Sequence, residues 1–290
     1  MDMKRILVPV DFSKNSLKAA RFAIRIAELA KSDVCLLHVT NVLVPTGPIP
    51  RGVLVKMPKD LLKDREHELQ MFAKKVFKSE NIVMNPKKVS LKAVDNGSVR
   101  DGVLAEIKNF NADLLVMGTC GASGFKEFFI GSNTASIMED ASCPVLSVPE
   151  KFIIREVKTI ALATELQDTA NELKKVVPFA KLFGAAIEVF HTFPNFPEKI
   201  KVSEIDYGKL EADLIKKSKY DYTEIIMVET PFTNDVVGGI EYFIKRKKPQ
   251  ILVMFSTKRN WFDKITEKSK TKKLIFHSKV PVLSFKREKK

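Results

Sequence analysis

The chain has 290 residues, 45% hydrophobic and 29% charged, enough to bury one large core or two ordinary ones, and the length favours two. No apolar run is long enough to cross a bilayer, and the N-terminal MDMKRILVPVDFS enters a strand pattern without a signal peptide, so a cytoplasmic protein with no membrane span is expected. The formal charge of +14 is uneven, with 21 Lys and Arg against 17 Asp and Glu in residues 1–150 and 28 against 18 in residues 151–290; polyanion docking and a solvated surface both fit it.

Cys35, Cys120 and Cys143 are too few and too irregular for a disulfide framework or a zinc cluster. His38, His67, His191 and His277 share no spacing that aims two of them from one helical face, and no metal site is expected. Arg5–Val10 is a short apolar run of the kind buried in a parallel sheet, followed by Asp11, Ser13 and Asn15 as turn and cap residues. Leu17, Ala20, Phe22, Ala23, Ile26 and Ala27 then recur at helical spacing, and Val34–Val39 is a second strand.

Residues 41–58 hold four prolines and two glycines and read as a long loop, of the kind that covers a site. A charged amphipathic helix is expected over 59–80, a strand at Val89–Val94, a helix at Ser98–Phe110 and a buried strand at Asp113–Met117. After a glycine-rich segment, 118–131, a helix through Met138 leads to a last strand at Cys143–Val148. Five strands alternating with four helices predict an α/β domain: an open parallel sheet with helices on both faces.

The pattern then repeats. VKTIALATE (157–165) answers KRILVPVD, IEVFHT (187–192) answers VCLLHV, QILVMFS (250–256) answers DLLVMGT, and VPVLSF (280–285) answers CPVLSV. His38 pairs with His191 at an offset of 153 and Asp11 with Glu165 at 154, whereas Gly118 pairs with Phe255 and Pro144 with Pro281 at 137. The second copy thus lacks a block near the proline-rich loop, and two tandem domains of five strands each, 1–150 and 151–290, are expected.

MGTCGASGFKEFFIGSNTASI lies between a buried strand and a helix, where open α/β sheets bind ligands. Gly118, Gly121 and Gly131 let backbone amides approach an anion, and Ser132 and Asn133 stand at the positive end of the next helix. The segment is neither a Walker A loop nor a G-x-G-x-x-G fingerprint. Taken singly, each residue also fits a strand end, a turn or a helix cap.

Gly118-x-x-Gly121, nine residues and Gly131-Ser132, together with ILVPVDFS, LLHV and PVLSVP, resemble the ATP-binding members of the universal stress protein family over the whole first half. The resemblance implies a Rossmann-like fold of the adenine nucleotide alpha hydrolase kind. It also implies an ATP or other adenine nucleotide site, with Mg left open as an accompanying ion. Pro9, Val10 and Asp11 would meet adenine and ribose, and Val39 would offer backbone to the base. Met117 and Gly118 would lie beside the ribose, and Gly121, Gly131, Ser132 and Asn133 would hold phosphates. It further implies pairing of the halves as an internal pseudo-dimer through Cys143–Val148 and Val280–Phe285, with a homodimer of chains left open.

In the second copy Phe255, Lys258 and Lys268 stand where Gly118, Gly121 and Gly131 would be, with Ser269 retained, so a fold without the nucleotide motif is expected there. Its lysine-rich span 258–279 fits a solvated face or a polyanion-docking surface. The expected function is a nucleotide-dependent stress-response protein that contacts an unidentified protein partner. A slow ATP hydrolase, a nucleotidyl-transfer enzyme and an ATP-independent scaffold are the alternatives, since phosphate chemistry needs charge clamps and the motif offers only Lys126.

Overall fold

The structure is a computed structural model that describes residues 3–40, 58–119, 132–194, 206–230, 236–256 and 280–286. These residues form two compact units, one ending at Glu150 and the other beginning at Lys151. The first contains β1 (Arg5–Pro9), α1 (Lys14–Ala30), β2 (Asp33–Thr40), α2 (Pro58–Glu80), β3 (Val89–Asp95), α3 (Val99–Asn109), β4 (Leu114–Gly118), α4 (Ser132–Asp140) and β5 (Val145–Val148). Its strands run parallel in the order β3-β2-β1-β4-β5.

Local chemistry explains the boundaries. Ser13 takes an extended conformation and its hydroxyl accepts from Ser16 N at 3.0 Å, which caps α1. Lys31, in the left-handed region at φ 56, ends the helix, and its N–H turns back to Ala27 and Glu28. Ser98 caps α3 through Asp101 N in the same way. Ile6, Leu7 and Val8 are fully buried and central, as a strand covered on both faces requires. α1 packs beside α2, and α3 beside α4. Right-handed crossovers place the two pairs on opposite faces, since the chain moves from β1 to β3 in one direction and from β4 to β5 in the other.

The second unit contains β6 (Thr159–Ala163), α5 (Thr169–Phe183), β7 (Ala186–Pro194), α6 (Tyr207–Ser218), β8 (Thr223–Thr230), α7 (Val236–Lys247), β9 (Ile251–Ser256) and β10 (Val282–Lys286). Its parallel order, β10-β9-β6-β7-β8, repeats that of the first. One core lies between its sheet and α7, where Phe190 and Phe243 stack at 3.9 Å between centroids amid Ala161, Val228, Ile240, Leu252 and Met254.

The repeat reaches single hydrogen bonds. Asp113 Oδ2 accepts from Lys4 N and Arg5 N, both at 2.9 Å, and ties β1 to the start of β4. Gln250 Oε1 accepts from Lys158 N and Thr159 N at 2.8 Å and does the same in the second unit. Gly102 and Gly239 bring α3 and α7 against the neighbouring strand: a Cβ would stand 2.7 Å from Val39 Cγ1 in one and 2.6 Å from Thr192 Cγ2 in the other. The shortening of the second copy is concentrated in a helix as well as in the connection before it, since α2 has 23 residues and α6 has 12.

Candidate functional site

In the first unit the strand order reverses between β1 and β4, so the crevice at their carboxyl ends is the position where an open α/β sheet takes a ligand. Pro9 ends β1, and Val10 follows, buried, with its N–H on Leu37 O at 2.7 Å. Asp11 Oδ1 accepts from Ser13 N at 3.1 Å; among the described residues its Oδ2 has no protein donor. Val39 is buried near the end of β2, with Gly102 against its side chain. Met117 is buried on β4 and Gly118 ends that strand.

α4 begins at Ser132, so Ser132 and Asn133 do open a helix that follows the glycine segment. Its third residue, Thr134, is buried and its hydroxyl donates to Gly118 O at 3.3 Å, which ties the helix start to the end of β4. The first amides of the helix, which have no partner within it, and its positive end therefore lie beside Gly118, a setting that favours an anion. Gly121 and Gly131 lie outside the described residues, as do Cys120, Lys126, the loop 41–57 and the span 258–279; the side chains of Ser132 and Asn133 also lie outside them.

Several residues shape this crevice without any motif to announce them. A Cβ on Gly118 would stand 2.8 Å from Asn15 Cγ and Nδ2, so the space a larger residue would fill is already taken by the buried Asn15 carboxamide. Phe12 has φ 62, a conformation that costs a bulky residue strain, and its counterpart Leu166 has φ 64. The Phe12 ring lies 4.5 Å from His38 and meets Phe72 edge-on at 5.8 Å.

His38 Nδ1 donates to Val10 O at 2.7 Å, and His191 Nδ1 donates to Thr164 O at 2.7 Å, so each histidine holds the turn after the first strand of its unit. Burial lowers the His38 pKa, and the ring is neutral near pH 7, with Nδ1 carrying the proton that this bond requires. Burial raises the thiols of Cys35 and Cys143, the latter to about 12, so neither is a ready nucleophile.

The corresponding place in the second unit is built differently. Thr164, in the position of Val10, donates its hydroxyl to Glu172 Oε2 at 2.8 Å and lies 3.0 Å from the Thr169 hydroxyl, all three residues being buried. Phe255 replaces Gly118 and stacks on Phe285 at 4.9 Å, with 10° between the rings. Thr169 replaces Asn15, so the glycine–asparagine pair of the first unit becomes a phenylalanine–threonine pair. Among the described residues no group of three or more His, Cys, Asp or Glu side chains could hold a metal ion, and no helix is long and apolar enough to cross a membrane.

Residues 3–149 match the model of the universal stress protein family. The chain belongs to that family. It is 29% identical over 145 residues to universal stress protein MJ0531 of Methanocaldococcus jannaschii, covering 50% of this chain and 81% of the relative. It is 28% identical over 145 residues to universal stress protein YxiE of Bacillus subtilis, covering 50% of this chain and 97% of that one. In fold it is similar to a universal stress protein from Archaeoglobus fulgidus, with a TM-score of 0.65 and 17% identity over 98% of this chain and 97% of the other. The two relatives match over half of this universal stress protein, whereas the likeness in fold spans both of its five-stranded units.

Proposed function

We propose that the chain is an adenine-nucleotide-binding universal stress protein that holds ATP or a close analogue in its first unit and acts through occupancy rather than as a fast enzyme. One contrast supports the reading: the crevice at the ends of β1 and β4 is bordered by glycine and by a carboxylate with an oxygen to spare, whereas at the matching positions of the second unit Phe255 stacks on Phe285 and Thr164 bonds to Glu172. Asp11 suits a ribose because a carboxylate accepts from two neighbouring hydroxyls. The Val39 backbone would meet the base, and Pro9, Val10, Met117 and Gly118 would border it and the ribose.

The amides of Gly121, Gly131, Ser132 and Asn133 would hold the phosphates, at the start of a helix tied to Gly118. Any Mg would then be carried by the phosphates, since no carboxylate cluster offers it a protein cage among the described residues. A protein partner that distinguishes the filled site from the empty one would complete the role. Gly121→Asp adds bulk and negative charge where phosphate is expected. Equilibrium dialysis with ATP should show binding to the parent chain and a loss of more than about tenfold in the variant, one charged contact being worth that much. Equal binding by both chains, with the fold unchanged by circular dichroism, would place the phosphates elsewhere.

A further inference from the structure

α2 packs on β2 and β3 and returns the chain to the amino end of the parallel strand β3, so the helix begins on the carboxyl-end side of the sheet, the side on which the crevice opens. Phe72 fixes its rotation by meeting Phe12, which follows the end of β1. Glu68 and Arg65 lie four and seven residues before Phe72 and share its face. At the rise of an α-helix they stand about 6 Å and about 10 Å nearer its N-terminus, beyond the turn that holds Asp11. Arg65 Nη1 donates to Glu68 Oε2 at 2.6 Å, and the two side chains are 40% and 48% exposed, so the pair is open to solvent and to a ligand.

Two further observations point the same way. Arg65, Glu68 and Asp11 all lie near enough to His38 to bear on its charge, less than burial and the Val10 bond do, which puts the helix pair and the turn carboxylate within electrostatic reach of one ring. Aligned at their last residues, α6 matches only Leu69–Glu80 of α2. Among the described residues, the second unit has no helical turns to match those that carry Arg65 and Glu68. A surface ion pair contributes little to stability, so Arg65 can leave Glu68 for a ligand at small cost.

We propose that Arg65 is a specificity-determining residue of the first unit's ligand site: its guanidinium passes from Glu68 to the ligand and selects a phosphorylated adenine nucleotide over the uncharged nucleoside. The proposal rests on the nucleotide reading above. A guanidinium suits the task because it stays charged and presents paired donors to phosphate oxygens. Glu68 holds the side chain in place before the ligand arrives and keeps the empty site from attracting anions at large.

Calorimetric titration of the full chain with ATP and with adenosine tests it. Arg65→Gln should weaken ATP about tenfold and adenosine less than about twofold, the size of one charged hydrogen bond. Arg65→Lys should recover most of the loss, and Glu68→Gln should leave ATP binding equal or tighter. If Arg65→Gln binds ATP as the parent does, or loses ATP and adenosine equally, the specificity role is wrong while the nucleotide reading stands. If the parent chain binds neither ligand, both fall.

Discussion

Gly118→Phe gives the first unit the residue that its second copy carries, and it is expected to abolish ATP binding while costing about 1–3 kcal/mol of stability through overpacking. The cost arises because even a Cβ at this point would lie 2.8 Å from the Asn15 carboxamide. Loss of stability and loss of binding can be separated. Adding Asn15→Thr copies the second unit's pairing, in which Thr169 and Phe255 occupy the two positions, and should recover much of the stability in a urea titration without restoring ATP. A double variant that binds ATP like the parent would show that Phe255 is not what keeps nucleotide from the second copy.

Phe190→Ala should cost about 3–5 kcal/mol, the largest effect expected of any single change in the second unit's core. The ring is 1% exposed, stacks on Phe243 and lies within a continuous apolar cluster, so its removal forfeits burial, stacking and packing together. Because the candidate site lies in the other unit, ATP affinity under native conditions should be unchanged. A cost below about 1 kcal/mol in denaturant titrations would contradict the placement of this core.

Where hydrophobic pattern and local chemistry agree, the fold was legible in the residues themselves. RILVP, VCLLHV, DLLVM and CPVLSV announced four of the first unit's strands, and Ser13 and Ser98 marked the helix starts that they cap. The offset between His38 and His191 predicted a register that the structure extends to matching histidine–carbonyl bonds. β8, with Ile225, Ile226, Met227 and Val228 in an unbroken run, had no counterpart assigned because β3 (VSLKAVD) has so little sequence in common with it. Pro178 argues locally against a helix, yet α5 runs through it, since Leu173, Val176, Val177 and Phe179 are all buried beside it.

The site was legible only in part. Spacing singled out Gly118, which ends β4, because a phosphate-approaching backbone leaves a recognisable gap in side-chain bulk, and the family resemblance pointed to Asp11; Gly121 and Gly131 lie outside the described residues. Spacing could not reveal that Asn15 occupies the space beside Gly118, as no rule links residues 103 positions apart. Nor could it reveal the left-handed conformation of Phe12, which bulky residues seldom adopt and which here recurs at Leu166. Arg65 was hidden for another reason. A lysine- and glutamate-rich helix reads as a solvated surface until the contact between Phe72 and Phe12 fixes which of its faces looks toward the crevice.

A chain with two copies of one fold is expected to hold one nucleotide, in the first. Isothermal titration of the purified, nucleotide-free chain with ATP measures this directly, because the number of sites is read from the equivalence point independently of affinity. One site per chain is the expected result. Two equal sites, or a single site that survives Gly121→Asp and is lost when residues of the 157–285 copy are changed, would contradict it.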